Sequence, residues 1–82
     1  MKTVYIIVEG EWFGTKERRI FKVNVKIRRD IYTAVGYLIS TLDYSYSFTK
    51  IYWYYDLPST LLSEKVEDIS TTGYYNIVDK EL

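Results

Sequence analysis

Residues 19–28, RIFKVNVKIR, carry the cleanest pattern in the chain. Phe21, Val23, Val25 and Ile27 alternate with Lys22, Asn24, Lys26 and Arg28. A strict period of two marks a strand with one buried face and one wet or bound face. Residues 3–13, TVYIIVEGEWF, form a second strand, with Val4, Ile6 and Val8 on one side and Tyr5, Ile7 and Glu9 on the other. Gly10 marks a bulge or bend within it. The polar run 14–18, GTKER, joins the two as a hairpin turn. Asp30 offers a side-chain oxygen to cap a helix start. Ile31, Ala34, Val35, Leu38 and Leu42 then follow at helical spacing, so residues 31–42 are predicted to be an amphipathic helix. Gly36 weakens that helix or lets it approach the sheet closely.

Residues 48–56, FTKIYWYYD, read as a third strand, with Ile51, Trp53 and Tyr55 on one face and Phe48, Lys50, Tyr52 and Tyr54 on the other. Leu57-Pro58 ends it. In residues 59–70, Leu62, Val66 and Ile69 sit at helical spacing behind Ser59 or Thr60, which predicts a short helix. Gly73 reads as a turn, Tyr74 to Val78 as a fourth strand, and Asp79 to Leu82 as a tail. The expected architecture is a single α+β domain over residues 1–82, of the form ββαβ, short helix, β. Its antiparallel sheet has three to four strands in the order 2-1-3, with the fourth strand at an edge. One helix covers one face, which leaves the other face open.

That open face defines the candidate site. If Val4, Ile6, Val8, Phe21, Val23, Val25, Ile51 and Trp53 face the helix, the opposite side carries Tyr5, Ile7, Lys22, Asn24, Lys26, Tyr52 and Tyr54. Tyr74 or Tyr75 extends this set. It is a field of aromatics beside a basic stripe. One reading is base stacking on the tyrosines with lysines on phosphates, which suits RNA or a nucleotide. The aromatic and glycine signature of an RNA-recognition motif is missing, however. The other reading is a protein interface, because aromatics are enriched where protein surfaces meet.

Composition sharpens the choice. The chain has 82 residues, so its burial margin is thin, and with no Cys and no His it lacks disulfides and the usual zinc ligands. Self-association is the remaining stabilising device. Ten Tyr in so short a chain suit half-exposed sheet faces and interfaces. Eleven basic and eleven acidic side chains cancel, which argues against general polyanion binding. The charges are segregated, however. Lys16, Arg18, Arg19, Lys22, Lys26, Arg28 and Arg29 crowd an early stretch that holds Glu17 alone, and acids prevail from Asp56 onward. Arg18 and Arg19 lie near one end of the second strand and Arg28 and Arg29 near the other, as solvated strand ends that blunt an edge. Pairing with the acidic part of another subunit is the alternative. Glu64, Glu67 and Asp68 are expected as a solvated helix face.

Catalysis has little support. There is no Gly-x-Ser-x-Gly turn and no glycine-rich phosphate loop. Glu9, Glu11 and Asp30 are candidates for a carboxylate metal or general-acid site, and structural placement is the expectation. No cofactor is expected. No apolar run is long enough to span a bilayer, and the N-terminus lacks the pattern of a signal peptide, so a cytosolic protein is expected. The chain is similar in style to small viral and phage proteins: short, rich in Tyr, Ile and Lys, without Cys. That likeness rests on no motif. It implies an accessory protein that binds a host component, such as an inhibitor of a defence system. The resulting expectation is a non-enzymatic, self-associating protein that binds a protein partner through Tyr5, Lys22, Asn24, Lys26, Tyr52 and Tyr54. An RNA- or nucleotide-binding module using the same face is the alternative.

Overall fold

A computed structural model describes residues 2–42 and 46–69. β1 (Lys2–Trp12) and β2 (Thr15–Val25) form a long antiparallel hairpin, α1 (Arg29–Leu42) follows, and β3 (Tyr46–Tyr54) returns beside β1. A 3-10 turn, η1 (Ser59–Leu61), leads to β4 (Val66–Asp68) at the outer edge of β2. The sheet order is β3-β1-β2-β4. The expected α+β class and the placement of β1 between β2 and β3 are both present. The sheet is mixed rather than wholly antiparallel, because β4 runs parallel to β2. The expected turn at Gly73, the strand Tyr74–Val78 and the tail lie outside the described residues.

The hairpin strands bury one alternating set of side chains against the helix. Val4, Ile6 and Val8 on β1 and Phe21, Val23 and Val25 on β2 point to α1 and are buried there with Ile31, Ala34, Leu38 and Leu42. Ile51 and Trp53 complete this layer from β3, as their spacing predicts. α1 begins two residues earlier than expected. Asp30 sits inside its first turn, and its carboxylate accepts hydrogen bonds from the backbone N–H groups of Lys26 (3.0 Å) and Ile27 (3.2 Å). It therefore ties the β2–α1 turn to the start of the helix, and this tight turn leaves Ile27 half exposed instead of in the core. Gly36 is exposed, and a Cβ there would meet nothing, so close approach to the sheet is not its role.

The register between β1 and β3 slips after Glu9: Glu9 pairs with Lys50, but Gly10 pairs with Phe48. Thr49 is thus the extra residue of a β-bulge. Strict alternation would put Phe48 with Lys50, Tyr52 and Tyr54. The bulge transfers it to the helix side, where it packs on the main core beside buried Tyr46. Gly10 makes the crossing feasible. A Cβ at this position would collide with the backbone oxygen of Ser47 and come within 2.6 Å of the Tyr46 ring.

Within residues 59–69 the expected helix is replaced by the 3-10 turn Ser59–Leu61 and the strand Val66–Asp68. After β3 the chain crosses the other face of the sheet as a strap, and Leu57 and Leu61 pack on Ile7 and Ile20. Val66–Asp68 then pairs with the backbone of Ile20–Lys22, and the alternation of a strand sends Val66 to the strap side and Ile69 to the helix side. The helical spacing of Leu62, Val66 and Ile69 is overridden by unpaired backbone groups on β2 that need partners. The strap crosses in the direction opposite to α1 and on the opposite face. Reversing both preserves the hand, so a chain obeying the right-handed rule at one connection obeys it at both.

Candidate interaction surface

The strap changes the face expected to be open. Ile7 and Ile20 are buried beneath Leu61, and Tyr5, Tyr52, Leu57 and Val66 pack around them. Tyr5 and Tyr52 are half buried, as rim residues of this small core. Tyr5 stands directly between Lys22 on β2 and Tyr54 on β3, so three expected site residues are neighbours. Asn24 is occupied locally, since its side-chain oxygen accepts the Thr3 hydroxyl at 2.9 Å. Lys26 follows the end of β2 and belongs to the turn, so it does not join the face. The Tyr52 ring lies edge-on to Tyr54 at 5.7 Å with the Lys50 ammonium 4.8 Å from its centre. Burial, and then the hydrogen bond and charge of Glu9, raise the Tyr52 hydroxyl above its ordinary pKa. Tyr54 remains well exposed, at 41%. The structure thus gathers Tyr5, Lys22, Tyr52 and Tyr54, removes Lys26, and leaves little of the face bare.

The segregated charges meet within the chain. Arg18 grips Glu64 with two hydrogen bonds of 3.0 and 2.7 Å, and Arg19 grips Glu67 with two of 2.9 and 2.7 Å. Each bond pattern is the bidentate fork of guanidinium on carboxylate. Glu64 and Glu67, expected on a solvated helix face, are therefore partners of the basic strand β2. These hydrogen bonds raise both guanidinium pKa values further. Arg28 lies over the Trp53 ring at 5.7 Å. A phosphate chain would have to compete for these cations.

The carboxylates weighed for catalysis do not converge. Glu9 and Glu11 lie near the hairpin end of β1, whereas Asp30 is buried at the other end of the sheet. Among the described residues no group of three potential ligands could hold a metal ion. An open cleft of about 400 Å³ flanks the hairpin, with Glu9, Glu11 and Glu17 against Lys16, Arg18 and Lys50, so its walls carry no net charge.

The unexpected feature is the hairpin tip. Trp12 pairs with Thr15, which leaves Phe13-Gly14 as a two-residue turn. Both residues have positive φ, 50° for Phe13 and 82° for Gly14. Turns of this mirror-image type match the twist of the strands and usually use Asn-Gly or Asp-Gly. A bulky side chain at positive φ is a true outlier. Phe13 is also 76% exposed, the most exposed of the large apolar side chains described. Its ring meets Trp12 edge-on at 5.1 Å. Trp12 reaches Tyr46 at 6.2 Å, and Tyr46 reaches Phe48 at 5.3 Å. The Tyr46 hydroxyl donates to the Glu17 carbonyl at 2.9 Å, which anchors this aromatic column in the core. The sequence pattern predicts Phe13 in the strand and the turn at 14–18. The available signal was an aromatic followed by Gly at the junction of two alternating strands.

Together these observations define a small α+β domain: a hairpin–helix–strand layer with a strap on its second face and an aromatic hairpin tip. The chain matches no family model, no curated protein and no solved structure. Among the described residues no helix is long and apolar enough to cross a membrane.

Proposed function

We propose that this is a non-catalytic interaction protein that binds a protein partner through the aromatic tip of its β1–β2 hairpin. One observation carries the reading: Phe13 occupies a strained backbone position and still exposes most of its ring. Strain of this kind costs about 1 kcal/mol or more and persists where function needs it. Beyond its edge-on contact with Trp12, a ring this exposed returns little to folding. Inserted into an apolar pocket it would supply the type of aromatic anchor that dominates interfaces, backed by Trp12 and Tyr46. Glu11 and Glu17 flank the tip with Lys16, a rim without the cationic excess that anionic lipid selects. The tyrosine face supports nucleic-acid binding less well, because its centre is covered and Arg18 and Arg19 are already paired. Inhibition of a host system by a viral or phage protein is one setting that such a binding protein fits.

Phe13→Asn tests the reading. It should raise the melting temperature by roughly 4–8 °C, since Asn accepts this turn position at about 1 kcal/mol less cost. In cells of the natural source, a photo-crosslinking phenylalanine analogue at position 13 should give one discrete adduct with another protein. The same analogue at exposed Ser63 should not. Excess wild-type chain should suppress the adduct, and excess Phe13→Asn should not. Equal labelling from both positions, or a loss of stability in Phe13→Asn, would overturn the proposal.

A further inference from the structure

The two edges of the sheet are unequal. β4 covers β2 only along Ile20–Lys22, whereas β3 presents nine residues whose outer side pairs with no described strand. Such an edge carries a row of outward N–H and C=O groups, which proteins usually blunt with charges, Pro or bulges. β3 has one charge, Lys50, and one bulge, at Thr49. From Lys50 to Tyr54 it is regular and rich in aromatics.

An identical strand can pair with this edge antiparallel about a two-fold axis. Opposed residues must point to the same face, so the axis has to fall on a residue. On Ile51 it would set Trp53 against Thr49 in the bulge. On Trp53 it would carry the pairing past the end of β3 at Tyr54. On Tyr52 it keeps every pair within the regular stretch. Ile51 then faces Trp53 of the partner subunit, a β-branched residue against an aromatic one. Lys50 faces Tyr54 of the partner subunit, a cation beside an exposed ring. The two Lys50 ammonium groups stay four residues apart along the strand, roughly 14 Å. No like charges are opposed, so the edge is complementary to itself.

We infer that a second copy of this chain pairs with β3 about a two-fold axis at Tyr52, joining two four-stranded sheets into one of eight. This surface lies apart from the hairpin tip, so the inference stands or falls separately from the partner proposed there.

The test is sedimentation equilibrium of the full chain up to about 0.5 mM, with two variants at the same exposed position. Tyr54→Lys sets two ammonium groups against each other in both symmetric pairs and should weaken the dimer at least tenfold. Tyr54→Glu sets a carboxylate against Lys50 of the partner subunit and should hold or tighten it. Both variants remove the same ring, so the difference reads the register and not the loss of Tyr54. Matching circular dichroism spectra would show that both fold. A wild-type chain that stays monomeric, or two variants that behave alike, would refute the inference.

Discussion

Gly10 and Thr49 show how much one residue decides here. At Gly10, beside the β1–β3 bulge, a Cβ would strike the backbone of Ser47, which cannot swing aside as a side chain could. Gly10→Ala should therefore destabilise the fold by about 1–3 kcal/mol, measured by urea unfolding. A loss below about 0.5 kcal/mol would mean that the β1–β3 crossing is looser than described. The sequence flagged Gly10 as a bulge site. It could not show that the extra residue is Thr49 on the opposite strand, because a bulge is a property of a strand pair. Phe48 changes face for that reason, and Phe13 was misplaced for a similar one. The turn type depends on where β1 and β2 fall out of pairing.

Among the elements, the strap is what the one-dimensional pattern concealed. Leu61, not Leu62, is the buried anchor: Leu61 is 6% exposed and Leu62 is 67% exposed. Leu61→Ala should cost about 2–3 kcal/mol and lower the melting temperature by roughly 10–20 °C, by uncovering Ile7 and Ile20. Leu62→Ala should stay within about 0.5 kcal/mol. Equal effects of the two would remove the strap from this face. β1, β2 and α1 were legible because each buries a face of its own period against the same layer. The stretch 59–69 has no such period, since Leu61 and Val66 serve the strap face and Ile69 the helix face.

At the scale of the molecule, zero net charge conceals an organised arrangement: basic β2 is fastened to the acidic segment of the same chain. Both forks are partly exposed, so each adds modestly to stability. The tyrosines give a clearer pH signature. Burial raises the Tyr46 and Tyr52 hydroxyls above their ordinary pKa, so the folded chain holds these protons more tightly than the unfolded chain. Their contribution is complete below about pH 10, the unfolded value, and is lost as the pH climbs through the higher folded values. Stability should therefore fall as the pH rises above about 10. Tyr46→Phe with Tyr52→Phe should flatten that fall, although loss of the Tyr46 hydrogen bond lowers stability at neutral pH by about 1 kcal/mol. An unchanged alkaline slope in the double variant would show that other groups govern it.

By itself the sequence determined the hairpin, the helix, the inner layer of the sheet and the position of β1 at its centre, because burial on one face writes its period directly into neighbouring residues. Only the tertiary structure decided what covers the second face, which cations are already paired, and that the exposed aromatics lie at a turn and along an edge. Those outcomes depend on contacts between residues some 40 positions apart, such as Arg18 with Glu64, and no local period records such a meeting.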